Sequence, residues 1–123
     1  MERTLLVTDD SLIIRELIKD TAVQHGWRVI GEASDGQSAI DRYRELRPTA
    51  VTLDLVMPQY DGLHALKGIR AFDGDARVLV VSAIDQTNVL REAIQCGASD
   101  FIVKPFAKDR VAAALDALVP TAT

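Results

Sequence analysis

The strongest constraint on the fold is an alternation repeated five times, in which an apolar run of strand length precedes a stretch with helical periodicity. The strand candidates are Thr4–Thr8, Arg28–Ala33, Ala50–Leu55, Arg77–Ser82 and Phe101–Val103. Runs such as "VLVV" are apolar throughout, as strands covered on both faces are, whereas "RVIGEA" is mixed and suits an edge. In Leu12–His25 the residues Ile14, Leu17, Ile18 and Ala22 recur at helical spacing, and Gly26 follows as a stop. Further helices are expected over Gln37–Leu46, with Ile40, Tyr43 and Leu46 inward, and over Leu63–Arg70 and Thr87–Cys96. The last is expected over Lys108–Leu118, with Val111, Ala114, Leu115 and Leu118 on one stripe and Pro120 closing it.

Five βα units in succession predict an α/β fold, a doubly wound parallel sheet with right-handed crossovers and helices on both faces. For five strands the expected order is the flavodoxin-like 2-1-3-4-5, whose functional crevice lies beyond the carboxyl ends of strands 1 and 3. At 123 residues the chain is expected to be one domain. A net charge of −4 argues against a nucleic-acid partner, which needs a basic face. No apolar run reaches the length of a membrane span, and "MERTLLV" lacks the layout of a signal peptide, so the expected location is the cytoplasm. Cys96 is the only cysteine, which excludes an internal disulfide; it reads as a small, partly buried thiol. His25 and His64 read as surface residues.

Within this frame the acidic residues are informative. "LLVTDDS" ends a hydrophobic strand on Asp9 and Asp10, two carboxylates that repel each other. Either Asp-Asp-Ser merely caps the next helix, or the charges belong to a divalent-metal site, and the segment alone does not decide. The predicted sheet adds Asp54, at the carboxyl end of strand 3 beside strand 1. Three converging carboxylates would force one to take up a proton unless a cation compensates, and Mg²⁺ is suited to one or two carboxylates plus waters. Ser82 and Lys104 follow apolar runs at the same edge. Singly, each has an ordinary reading as a turn residue, a helix start or a solvated cation; together on one edge they point to a site.

The motifs "DDS" at Asp9–Ser11, "LDLVMPQYDG" at Leu53–Gly62, "VVSA" at Val80–Ala83 and "DFIVKPF" at Asp100–Phe106 stand in the order and spacing of a known family. The chain resembles the receiver domain of bacterial two-component response regulators over about Thr4–Leu118, most like the stand-alone chemotaxis type. The resemblance implies that Asp54 is the phosphoacceptor. It implies Mg²⁺ bound by Asp10, Asp54 and the backbone carbonyl of Val56, with Asp9 acting through a metal-bound water. Ser82 would donate to one phosphoryl oxygen and Lys104 would pair with another. Ser82 and Phe101 would form the switch, Phe101 lacking the hydroxyl with which the commoner tyrosine bonds when facing out. The Lys104–Pro105 peptide is expected to be cis.

The implied partners are a histidine kinase as phosphodonor and a downstream protein target such as a flagellar motor switch protein. The protein itself is expected to be a monomer and not an enzyme beyond its own phosphorylation and dephosphorylation. Because Thr123 follows the last helix closely, output is expected through protein–protein binding. Alternatives are a phosphorelay intermediary or a receiver excised from a longer regulator. An aspartate-nucleophile phosphatase would need an Asp-x-Asp motif after strand 1 and a cap domain, and a flavodoxin would need a phosphate loop where "TDDSLI" is too acidic. Val56 and Ile84, two residues beyond Asp54 and Ser82, are expected to flank the entrance to the phosphoryl group. Being apolar, they predict slow self-hydrolysis, with termination left to a phosphatase or to back-transfer.

Overall fold

The computed structural model describes residues 2–57, 59, 61–83 and 87–119, so the expectations for Ile84 and Pro120 lie outside the described residues. The strands are β1 (Thr4–Thr8), β2 (Arg28–Ala33), β3 (Ala50–Asp54), β4 (Val78–Ala83) and β5 (Asp100–Lys104). They alternate with α1 (Leu12–Gln24), α2 (Gly36–Leu46), α3 (Gly62–Phe72), α4 (Thr87–Gln95) and α5 (Lys108–Leu118). The sheet is parallel in the order β2-β1-β3-β4-β5, as expected, with the mixed strand β2 at an edge. Among the described residues no helix is long and apolar enough to cross a membrane.

Element ends move by a residue or two from the sequence expectation, each for a local reason. Strand β5 starts at Asp100 and runs to Lys104 because both lie in the β4 ladder, opposite Leu79 and Ala83, although their polarity hides them from an apolar-run reading. Likewise β4 is Val78–Ala83 and not Arg77–Ser82, while β3 stops at Asp54. Helix α2 begins one residue early, at Gly36, because Asp35 accepts from the Ser38 amide at 2.9 Å. Helix α3 begins at Gly62 because Asp61 accepts from the His64 amide at 2.9 Å. It continues to Phe72, whose ring meets Tyr43 edge-on at 6.3 Å. At its C-terminal end α1 stops at Gln24, and Gly26 turns the chain with φ +87°, a conformation glycine adopts without steric cost. Cys96 falls just past the end of α4 and is half-buried; His25 and His64 are exposed.

Alternation along the strands divides the core into two layers. On one face Leu6, Val51, Leu53, Val78 and Val80 pack against Ile40 and Tyr43 of α2, Leu66 and Ile69 of α3, and Ala93 of α4. On the other, Leu5, Val7, Leu79, Val81 and Ile102 meet Ile18 and Ala22 of α1 and Val111, Ala114 and Leu115 of α5. Burying both faces gives the central strands their largely apolar runs, Thr52 in the middle of β3 being a polar exception, and leaves charged residues only where the strands end. The site lies at those carboxyl ends.

Candidate functional site

Strand β1 delivers Asp9 as the first residue past its end, and the Asp9 amide still donates to the Ala33 carbonyl of β2 at 3.1 Å. Asp9 is fully buried at 0% exposure, where a free carboxylate would be costly. Its two oxygens are both used: Oδ1 accepts from the Ser11 amide and Oδ2 from the Lys104 ammonium, each at 2.9 Å. Ser11 is the N-cap of α1, its hydroxyl accepting from the Ile14 amide at 3.4 Å. Of the residues in "DDS", the serine is the cap, and the two aspartates belong to a carboxylate cluster. Asp10 is exposed.

Strand β3 contributes Asp54, 6% exposed and in register with Val81 of β4. Asp54 Oδ1 accepts from the Val56 amide at 3.2 Å, and Oδ2 lies 3.4 Å from Lys104 Nζ. Each of Asp9, Asp10 and Asp54 brings a carboxylate oxygen within 4.8 Å of the others, so this trio can hold a metal ion. Lys104, at the end of β5, bridges Asp9 and Asp54. The following Lys104–Pro105 peptide is cis, as expected.

The electrostatics follow from that crowding. Burial, reinforced by the charge of Asp9, pushes the Asp54 carboxyl up to about 6 against the opposing pull of Lys104 and the Val56 amide. For Lys104, burial disfavours the ammonium, but the bond to Asp9 and the charges of Asp54 and Asp9 outweigh it and hold the group above its ordinary value. One ammonium faces three carboxylates, so negative charge remains in excess. An all-oxygen donor set with that excess fits a hard divalent cation such as Mg²⁺ and does not suit a soft metal.

The other sequence candidates are placed less directly. Ser82 is buried on β4 one residue beyond the partner of Asp54, and its hydroxyl donates to the Ala83 carbonyl at 3.3 Å rather than to a carboxylate. Val56 stands at the rim, 52% exposed. Phe101 is 36% exposed on β5, outside the carboxylate cluster. Three further contacts around the site have no role assigned by the motifs. Arg15 of α1 donates to the Asp9 carbonyl at 2.6 Å, Arg110 of α5 donates to the Phe101 carbonyl at 3.0 Å, and Gly62 packs directly on the backbone of Asp54. The glycine had a signal, since it closes "LDLVMPQYDG"; the arginines had none beyond their charge.

Comparison with known proteins agrees with this geometry. The model of the response regulator receiver domain matches residues 5–116. The chain is 44% identical over 116 residues to chemotaxis protein CheY of Bacillus subtilis, covering 94% of this chain and 97% of that protein. It is 42% identical over 116 residues to the CheY of Thermotoga maritima, with the same 94% and 97% coverage. Among solved structures, the CheX-CheY-BeF3-Mg+2 complex from Borrelia burgdorferi superposes with a TM-score of 0.89 at 30% identity, covering 96% of this chain and 90% of that one. Matches that run from the first strand into the last helix, and that leave almost none of either CheY unaccounted for, place this chain among the response regulator receiver domains.

Proposed function

We infer that the chain is a phosphorylation-activated switch that accepts a phosphoryl group on Asp54 and signals, in the cytoplasm, by binding another protein. The observation that carries this is the meeting of Asp9, Asp10 and Asp54 with Lys104 at the switch point of the sheet. An Asp54 oxygen attacks phosphorus, the bond from phosphorus to the donor nitrogen of a kinase histidine breaks, and the product is an aspartyl phosphate. Anion approaches anion in this step, so alignment and positive charge supply most of the rate. Lys104 supplies one positive charge 3.4 Å from Asp54 Oδ2. Asp10 and Asp54, with the Val56 carbonyl and with Asp9 through a water, would hold Mg²⁺, which when bound neutralises the phosphoryl oxygens. The Ser82 hydroxyl turns from the Ala83 carbonyl to a phosphoryl oxygen, and Phe101 moves inward behind it, altering the surface of α4, β5 and α5.

On this reading the receiver core runs from about Thr4 to Leu118 and acts as a monomer. The phosphodonor is a histidine kinase, and the high identity to two CheY proteins supports a role in chemotaxis with a flagellar motor switch protein as target. The relative solved with CheX and Mg²⁺ supports both the metal and a further partner protein, such as a phosphatase, engaging this kind of domain. Incubation with acetyl phosphate and Mg²⁺, followed by intact-mass analysis, tests the assignment. Wild type should gain one phosphoryl group, and neither Asp54→Asn nor metal-free wild type should gain any. Undiminished labelling of Asp54→Asn at another residue would sink the assignment.

A further inference from the structure

Asp10 is the exposed member of the acidic trio, and among the described residues no hydrogen bond holds its carboxylate. What the structure holds of it is the peptide from which the side chain departs. The peptide joining Asp9 to Asp10 carries the Asp9 carbonyl, and Arg15 Nη1 donates to that oxygen at 2.6 Å. Arg15 lies in the first turn of α1, and a helical side chain leans toward the helix N-terminus, which is the direction of this carbonyl.

The guanidinium is itself braced. Its Nε donates to Glu32 Oε1 at 3.0 Å, and Lys19, one turn further along α1, donates to Glu32 Oε2 at 3.0 Å. Glu32 belongs to β2, where its neighbour Ala33 accepts the Asp9 amide at 3.1 Å. The backbone of Asp9 is thus gripped on both sides, its N–H by β2 and its C=O by a side chain of α1 anchored on β2. Rotation of the Asp9–Asp10 peptide, which would carry the Asp10 side chain away from the trio, breaks the Arg15 bond.

We propose that Arg15 is a positioning residue for the cation site, fixing through the Asp9 carbonyl the peptide that carries Asp10. The proposal rests on the reading of Asp9, Asp10 and Asp54 as a Mg²⁺ site. It also runs against simple electrostatics: a guanidinium beside a cation site repels the cation, so charge removal alone would tighten Mg²⁺ binding. Positioning predicts the opposite sign.

The test is calorimetric titration of the metal-free protein with Mg²⁺ for wild type, Arg15→Ala and Arg15→Lys, with urea unfolding to verify that each is folded. Arg15→Ala should bind Mg²⁺ on the order of tenfold more weakly, the scale found for partners that orient metal ligands. Arg15→Lys keeps the charge and the aliphatic stem but not the fork that spans Asp9 and Glu32, so it should fall between the two. At saturating Mg²⁺, labelling of both variants by acetyl phosphate should return to the wild-type rate. An Arg15→Ala protein that binds Mg²⁺ as tightly as wild type, or more tightly, overturns the proposal. So does an Arg15→Lys protein indistinguishable from wild type, a result that stands even if the alanine variant does not fold. Failure of wild type to bind Mg²⁺ would instead overturn the site reading beneath it.

Discussion

At the scale of single residues, each carboxylate of the cluster is held differently. Asp9 is buried and doubly bonded, Asp54 is buried and shares Lys104, and Asp10 is exposed. That division suits a site in which one acid is fixed scaffolding, one reacts and one faces an incoming ion. Val56 borders Asp54, its amide on Oδ1, and the residue is 52% exposed. An apolar side chain there can neither hold nor orient the water that would hydrolyse an aspartyl phosphate. Val56→Asn is therefore expected to shorten the phosphorylated lifetime on the order of tenfold, equivalent to about 1.4 kcal/mol of barrier. Decay of labelled protein in Mg²⁺ after removal of donor measures it, and a variant that decays no faster than wild type removes the basis for a slow self-hydrolysis.

At the scale of elements, the sequence is most legible where burial and periodicity coincide. The central strands read as apolar runs because both faces are covered, and every carboxylate of the site could be placed because it ends such a run. Polar strand ends such as Asp100 and Lys104 were not legible, since they belong to the sheet through the ladder and not through burial. Arg15 and Arg110 were not legible either, because the reach of a long side chain onto another element's carbonyl leaves no trace in periodicity. Helix α3 shows how closely one element can fix the site. Its first residue, Gly62, donates its amide to the Leu55 carbonyl at 3.1 Å. A Cβ added there would lie 2.2 Å from the Asp54 carbonyl oxygen and 2.7 Å from Leu55 Cα, both of them backbone atoms with no rotamer to escape into. Gly62→Ala must push α3 away from β3. It should cost about 2–3 kcal/mol in urea unfolding and slow labelling by acetyl phosphate. An unchanged unfolding midpoint would show that α3 can shift without strain.

At the scale of the whole molecule, three carboxylates gathered about one ammonium store electrostatic cost in the metal-free protein. The carboxyl of Asp54 stands at about 6 in the folded chain against an ordinary 3.8. A group whose folded value is raised binds more protons in the native state than in the unfolded one. The contribution of Asp54 to stability must then fall as pH rises through the window from 3.8 to about 6 and stay low above it. In EDTA, Asp54→Asn should be more stable than wild type at pH 7.5 by a few kcal/mol, and the gap should close near pH 4, where the native aspartate is itself neutral. Mg²⁺ should act in the opposite sense. If the trio is the proposed Mg²⁺ site, the ion should stabilise wild type by about 2.7 kcal/mol at a hundredfold excess over its dissociation constant, and it should do much less for Asp54→Asn, which would lack one of the proposed ligands. Urea unfolding of both proteins at the two pH values, with and without Mg²⁺, checks the signs together. A metal-free stability difference between wild type and Asp54→Asn that is flat between pH 4 and 7.5 would mean that Lys104 already compensates Asp54 in full.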